Sequence, residues 1–408
     1  MSDGSRRLRV LAISGRLPLP STDGDRIANF GLLRALASEH DVTLVSILAA
    51  DDNLKISGYN NLFNPDQVSL VALSAAPELS RTRRAALRRL TVGLFTGMPP
   101  RYQSHCHPTL CDKVRVMSKN SDIVVFLDNM FAQYVHCSTA PVILHMHNVD
   151  GWSAATYKPV GISSYLLKKS SLRQIRNVEG RAVRAAQAVT VTSKEEAKRL
   201  VDLYGLNPFA VVPSGVDIPD IVPRNAGSPV VAWLGNHSYG PNSDGLRRFI
   251  EESWPLVHEI SSAELWIAGA DPPQSIQSLE GTEGIKVLGY VEDLTDFFSS
   301  VSVGVVPLWA GAGVKLKTIT MLSNGIPTVS TTVGAEGIDH ERSRALVVVD
   351  DPREISRSIV QLLKDRELAE TMGERGRDLV RSKFSWRVTG AILNATISEV
   401  YSSLSDNA

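Results

Sequence analysis

Short runs of apolar, mostly β-branched residues recur along the chain, and the segments between them carry apolar residues every three or four positions. LRVLAIS (8–14) is the first such run. It shows no polar alternation, as expected of a strand buried on both faces. In DRIANFGLLRALASEH, which follows, Ile27, Phe30, Leu33 and Leu36 can share one helical face. DVTLVSILA, DIVVFL (122–127), PVILHMHN (141–148) and AVTVTS (188–193) continue the series as strands. Alternation of this kind points to parallel α/β units joined by right-handed crossovers.

The pattern lapses over FAVVPSGVDIPDIVPRNAGSP, which is rich in proline and glycine and has no helical period. It reads as a linker, 209–228, between a domain at 1–208 and a second at 229–384. The second series begins with strand VVAWLGN (230–236) and a helix over SDGLRRFIEESWPLVHEI. Strands ELWIAGA and IKVLGYV, a short helix LTDFFSSV and strand VGVVPL come next. A helix within 311–327, strands PTVSTT and ALVVVD, and a helix REISRSIVQLLKD complete it. Two such series around a break predict an α/β protein of two Rossmann-like domains facing a central cleft.

Composition narrows the classes. The 408 residues suit about two domains at roughly 100–200 residues each. Lys+Arg and Asp+Glu balance at 43 each, so bulk charge does not mark a nucleic-acid binder. Cys106, Cys111 and Cys137 are too few, and odd in number, for a disulfide framework, which fits a reducing compartment. The chain has no apolar run of about 20 residues, so a cytoplasmic protein is expected. HCHPTLC (105–111) gathers two histidines and two cysteines. Zinc would want a second cluster at suitable spacing, and His136-Cys137 gives no recognisable pattern. Arg81, Arg83, Arg84, Arg88 and Arg89, interleaved with apolar residues in 80–95, would make a helix basic on one side. Such a helix suits peripheral contact with an anionic membrane at its inner face, or is an ordinary surface helix. KKSSLRQIRNVEGRAVRAA (168–186) is a second basic helix.

GAGVKLKTITMLSNGIP (311–327) puts two glycines ahead of two lysines at a strand's carboxyl end and the start of a helix. Helix N-termini attract anions, glycine admits a phosphate closely, and lysine adds charge. Solvated lysines on a surface helix are the alternative.

Taken together with PLPSTDGDRIANFGLLRALA, HNVDG, VTSKEEAKRL, VPSGVD, WLGNHSYGPNSDGLRRFIEESWP, LWIAGADPP, VLGYVEDL, PLWAGAGVKLKTITMLSNGIPTVSTTVGAEGI and FSWRV, this stretch gives the chain its likeness. It resembles the retaining family-4 glycosyltransferases of the GT-B fold, of the bacterial type that builds surface or exported polysaccharide. The resemblance implies a nucleotide-sugar donor in the second domain and a glycan or lipid-linked acceptor in the first. It also implies no cofactor and no essential metal, and a C-terminal helix (385–408) returning to the first domain.

By that resemblance Lys315 and Lys317 contact the donor diphosphate, and Gly311 and Gly313 admit it. Gly235 and Asn236 lie near the phosphates, Tyr290 and Val291 near the base, and Gly334 and Glu336 near the sugar or ribose. His147 corresponds to a histidine beside the transferred sugar, with His145 as a rival on the same strand face. Gly24 and Arg26 belong to the acceptor-side loop. One position departs: the family's ribose-binding glutamate is Thr320 here, and a neutral hydroxyl in place of a carboxylate costs about 1.5–3 kcal/mol of donor binding. Thr320 leaves a non-catalytic paralogue or partner subunit open. A nucleotide-sugar epimerase is a further alternative, whereas GRLPLPSTDGDR after the first strand is no dinucleotide-binding turn.

Overall fold

The structure is a computed structural model and describes residues 7–19, 24–48, 59, 63, 67–74, 99–103, 106–156, 162–219 and 228–405. Two all-parallel sheets organise it. The first runs β3-β2-β1-β4-β5-β6-β7. Its strands are β1 (Arg9–Ser14), β2 (Asp41–Leu48), β3 (Val68–Ser74), β4 (Ile123–Phe126), β5 (Val142–Met146), β6 (Ala188–Val191) and β7 (Ala210–Val211). The second runs β10-β9-β8-β11-β12-β13. It contains β8 (Val230–Leu234), β9 (Glu264–Ala268), β10 (Ile285–Gly289), β11 (Val303–Val306), β12 (Thr328–Ser330) and β13 (Val347–Val348). In both, the order reverses beside the first strand, the doubly wound arrangement.

The central strands are buried along their whole length, as in β4, β5 and β11, because helices cover both faces. Trp233, Phe249, Trp254 and Ile267 are among the side chains of the second sheet's core. Phe126, Phe131 and Leu144 hold the corresponding place in the first.

Several elements differ from the sequence reading. The helix expected over SDGLRRFIEESWPLVHEI is two, Gly240–Glu252 and Trp254–Ser261, divided at Ser253. Pro255 has no N–H with which to carry the first helix through. The stretch read as a linker begins with β7, which adds a seventh strand beside β6. The cysteine reading is corrected more sharply. Cys111 and Cys137 form a disulfide and Cys106 is free. The helix Leu110–Ser118 and the 3-10 helix Asn129–Cys137 bring their Cα atoms to 5.3 Å, a juxtaposition that no count of cysteines reveals.

By internal contacts the chain divides into two units. Asp25–Val212 with β1 and Thr389–Ala408 form one, and Pro213–Val388 form the body of the other. The last helix, Trp386–Ser405, carries the chain back: Asn394 Nδ2 donates to Ala35 O at 3.1 Å in helix Gly24–Glu39. Among the described residues no helix is long and apolar enough to cross a membrane. The basic segment Arg81–Arg89 lies outside the described residues.

Gly245 sits in helix Gly240–Glu252 where a Cβ would stand 2.1 Å from the Pro307 carbonyl oxygen. Glycine to alanine inside a helix ordinarily stabilises by about 1 kcal/mol. Here backbone opposes it, and Gly245→Ala should instead destabilise by about 1–3 kcal/mol, as overpacking does. A lowered thermal midpoint, against an unchanged or raised one for Gly240→Ala, which meets nothing within 4 Å, checks this.

Candidate functional site

In the second sheet the order reverses between β8 and β11, and their carboxyl ends lead into Gly235 and Pro307. This is the position at which doubly wound sheets place ligands. Lys317 reaches it from the first turn of helix Leu316–Ser323. Its Nζ donates to Asn242 Oδ1 at 2.6 Å and lies 5.0 Å from the centre of the Trp233 ring. A Cβ on Gly235 would come within 2.8 Å of that ammonium, so glycine keeps the place open. Asn242 is itself fixed, its Nδ2 donating to Asn236 O at 2.8 Å.

Lys315 precedes the helix and is buried, 8% exposed. Its Nζ donates to Gly313 O and stands 3.6 Å from the Glu336 carboxylate. Gly311 (φ 126°) and Gly313 (φ 76°) turn the loop through backbone conformations that other residues strain to adopt. The first turn has no side-chain cap, and the earliest helical bonds are Thr318 N and Ile319 N to Lys315 O. The Leu316 and Lys317 amides therefore precede the ladder and add to the positive end of the helix.

Two cations share this small space. Burial first, then the neighbouring Lys315, pull the Lys317 ammonium down to about 7. His237, 7% exposed, packs 4.9 Å from the Trp233 ring. Burial and then the Lys317 charge lower its pKa. Both ring nitrogens of His237, and Trp233 Nε1, are buried without a hydrogen-bond partner among the described residues. Buried polar atoms are nearly always satisfied, so their concentration around two lysines marks a place for a polar ligand.

The remaining donor-side candidates divide. Asn236 turns its carboxamide inward, accepting from Ser238 N (2.8 Å) and Oγ (2.7 Å), and so shapes the turn. Gly334 is a packing requirement, since a Cβ would meet Val306 O at 2.6 Å. Thr318 Oγ1 donates to its carbonyl at 2.8 Å. Thr320 is half-buried one turn beyond Lys317. Tyr290 follows edge strand β10 and is 60% exposed. Val291 packs against the cluster of Ala232, Ala268 and Phe297.

In the first unit the chain turns at the reversal between β1 and β4. Asp128 Oδ2 accepts from Gly15 N and from Asn29 Nδ2, each at 3.2 Å, and Oδ1 accepts from Met130 N at 3.0 Å. Asn29 Nδ2 also reaches Ser14 Oγ at 3.3 Å, so its Oδ1 is the acceptor for His147 Nε2 at 2.9 Å. His147 Nε2 is therefore the protonated nitrogen, and in the neutral ring Nδ1 carries the lone pair. His145 is buried against Thr190, its pKa held well below the usual range by burial and then by His147. Helix Gly24–Glu39 starts at Gly24, and Arg26 is buried in its first turn, at 9% exposure.

Two buried carboxylates pin the segment after His147. Glu196 accepts from Val149 N at 2.6 Å, and Glu179 accepts from Asp150 N at 2.8 Å and Gly151 N at 2.9 Å. Burial and then Asp150 push the Glu179 carboxyl up to about 8, against the pull of these donors and of Tyr204 OH. HNVDG gave no hint of acids about 30 and 50 residues further on. Asn29, His237 and Asn242 lie within stretches that carry the resemblance, but nothing in the sequence singled them out there.

Residues 29–219 match the family model described as Glycosyltransferase Family 4, and residues 228–365 match that described as Glycosyl transferases group 1. The chain belongs to the glycosyltransferases built from these two domains, and its fold is GT-B. N-acetyl-alpha-D-glucosaminyl L-malate synthase of Bacillus anthracis is 27% identical over 136 residues, 32% of this chain and 35% of that protein. The matched stretches span just over a third of the curated relatives' length. Sucrose-phosphate synthase of Thermosynechococcus elongatus superposes with a TM-score of 0.70 at 17% identity, covering 98% of this chain and 100% of that one. Anabaena HepE in complex with UDP-glucose gives 0.67 at 14% identity, covering 96% and 100%. At these identities the likeness is one of fold.

Two measurements follow from the geometry. An anion bound against Lys317 raises its pKa, so binding should take up a proton at pH values above about 7. With a nucleotide-sugar, whose diphosphate does not titrate there, affinity should be flat below pH 7 and weaken by up to about tenfold per pH unit above it. Calorimetry in buffers of different ionisation enthalpy reads the proton directly, and a pH-independent affinity contradicts the assignment. Separately, 15N shifts of His147 should report the Nε2–H tautomer, with that preference lost in Asn29→Ala.

Proposed function

We propose that the protein is a retaining glycosyltransferase that moves a sugar from a nucleotide-sugar donor to a glycan or lipid-linked acceptor. The observation that carries this reading is the paired Lys315 and Lys317 at the reversal of the second sheet, beside Gly235, Gly311 and Gly313. As the bond between the anomeric carbon and the diphosphate breaks, negative charge gathers on the departing oxygens. Two ammonium groups and the leading amides of helix Leu316–Ser323 offset it in place of a metal ion. The acceptor hydroxyl attacks the same face, forms the new glycosidic bond as the old one breaks and passes its proton to a departing phosphate oxygen, which gives retention without a side-chain nucleophile. HepE's complex with UDP-glucose makes a uridine donor the first to try. We assign the first unit to the acceptor, with His147 as the group beside the transferred sugar. The second unit takes the donor, with Tyr290 and Val291 toward the base and Glu336 ordering Lys315.

Thr320 favours a second reading, a non-catalytic paralogue or partner subunit. A threonine hydroxyl cannot match the two charge-assisted bonds that a glutamate gives a ribose diol.

The experiment is a calorimetric and donor-hydrolysis survey of UDP-, GDP-, ADP- and dTDP-sugars. One donor should bind, and Lys317→Met should weaken it roughly tenfold to a hundredfold, the worth of about 1.5–3 kcal/mol for a charged hydrogen bond. Thr320→Glu should tighten donor binding by a similar factor. Binding without turnover, restored by Thr320→Glu, would support the second reading. No response to any nucleotide would overturn the donor assignment.

A further inference from the structure

Away from both strand reversals, Cys111, His136 and Cys137 bring their ligand atoms within 4.8 Å of one another. Cys111 lies in the first turn of helix Leu110–Ser118, and His136 and Cys137 close the 3-10 helix Asn129–Cys137. The two sulfurs are joined. His136 Nε2 stands 3.7 Å from Cys137 Sγ. Zinc–sulfur and zinc–nitrogen bonds of about 2.3 and 2.0–2.1 Å at a tetrahedral angle separate the two ligand atoms by about 3.5 Å, so the imidazole already has ligand spacing.

Two further features surround the sulfurs. Arg115, whose Nη1 pairs with Asp112 Oδ1 at 2.8 Å, brings Nη2 to 3.5 Å from Cys111 Sγ. Ser118 Oγ meets Thr139 Oγ1 at 3.0 Å and accepts from Thr139 N at 3.0 Å, which ties the end of the helix to the chain two residues past Cys137 independently of sulfur. Opening the disulfide therefore leaves the sulfurs close. Cys137 is buried, Cys111 half-buried and His136 exposed, so a fourth position at the metal would face water.

We propose that Cys111, His136 and Cys137 form a redox-gated zinc site, separate from the donor and acceptor chemistry. A dithiol reductant exchanges with the bond between Cys111 and Cys137. It takes up the disulfide, and the two protein sulfurs leave as thiols with the two electrons and two protons it gives. Zn2+ then displaces both thiol protons to the buffer and takes the two thiolates, the His136 Nε2 lone pair and a water. An oxidised dithiol reverses the exchange and expels the metal.

The test uses the full chain, reduced under native conditions and freed of reductant, with Zn2+ alone as probe against a chromophoric chelator. Three reactive thiols should be counted. The reduced protein should bind one zinc, and Co2+ in its place should give thiolate charge-transfer absorption. The oxidised protein should bind at least tenfold more weakly, and so should reduced His136→Ala, an exposed substitution that leaves the packing alone. Cys111→Ser should lose the cobalt–thiolate signal of a two-sulfur site. The proposal is overturned if only Cys106 reacts after reduction, if the reduced chain takes up no zinc, or if His136→Ala binds as the wild type does.

Discussion

A parallel sheet whose strand order reverses sends its two central crossovers to opposite faces, and nothing covers the carboxyl ends between them. Each unit of this chain puts its unusual side chains at that gap. In the second unit they are Lys315, Lys317, His237 and the glycines around them; in the first they are Asp128, Asn29 and His147. Neither group would exist without the reversal, because strands on a single continuing path would be capped by their own connections.

Within the second unit the governing quantity is the cost of keeping two cations out of water. Lys317 meets it partly through Asn242 Oδ1 and the Trp233 face, and Lys315 through Gly313 O and Glu336. The depressed pKa of Lys317 is the residue of that cost. Under the proposed donor assignment, a bound diphosphate would relieve it. The first unit is held differently: Asp128 Oδ2 accepts from the Gly15 amide after β1 and from Asn29, while Oδ1 accepts from the Met130 amide in its own turn. One carboxylate thus aligns the amide that selects the histidine's tautomer.

Much of the fold was legible because its central strands are apolar without interruption, a pattern that only burial on both faces sustains. Edge strand β3 escaped, since Val68–Ser74 mixes exposed and buried positions and Ser69, Ala72 and Ser74 interrupt its apolar residues. β7 escaped because two residues make no pattern. The lysines and the glycines before them were visible as a motif, and the glycines' positive φ gives that motif a physical reason. Partners far along the chain were not visible. Asn242 lies 75 residues before Lys317, Asn29 lies 118 before His147, and the two cysteines are 26 apart. Each is an ordinary polar or small residue until topology supplies its neighbour.

The crossing of the last helix has a consequence for biosynthesis. Pro213–Val388 is one continuous stretch, whereas the other unit is completed only by Thr389 onward, whose Asn394 and Gly390 settle on Ala35. Domains generally fold as they leave the ribosome, the earlier one first. Here the order of completion is inverted: the unit whose strands are translated first stays open along its first helix until the segment from Thr389 onward has been made.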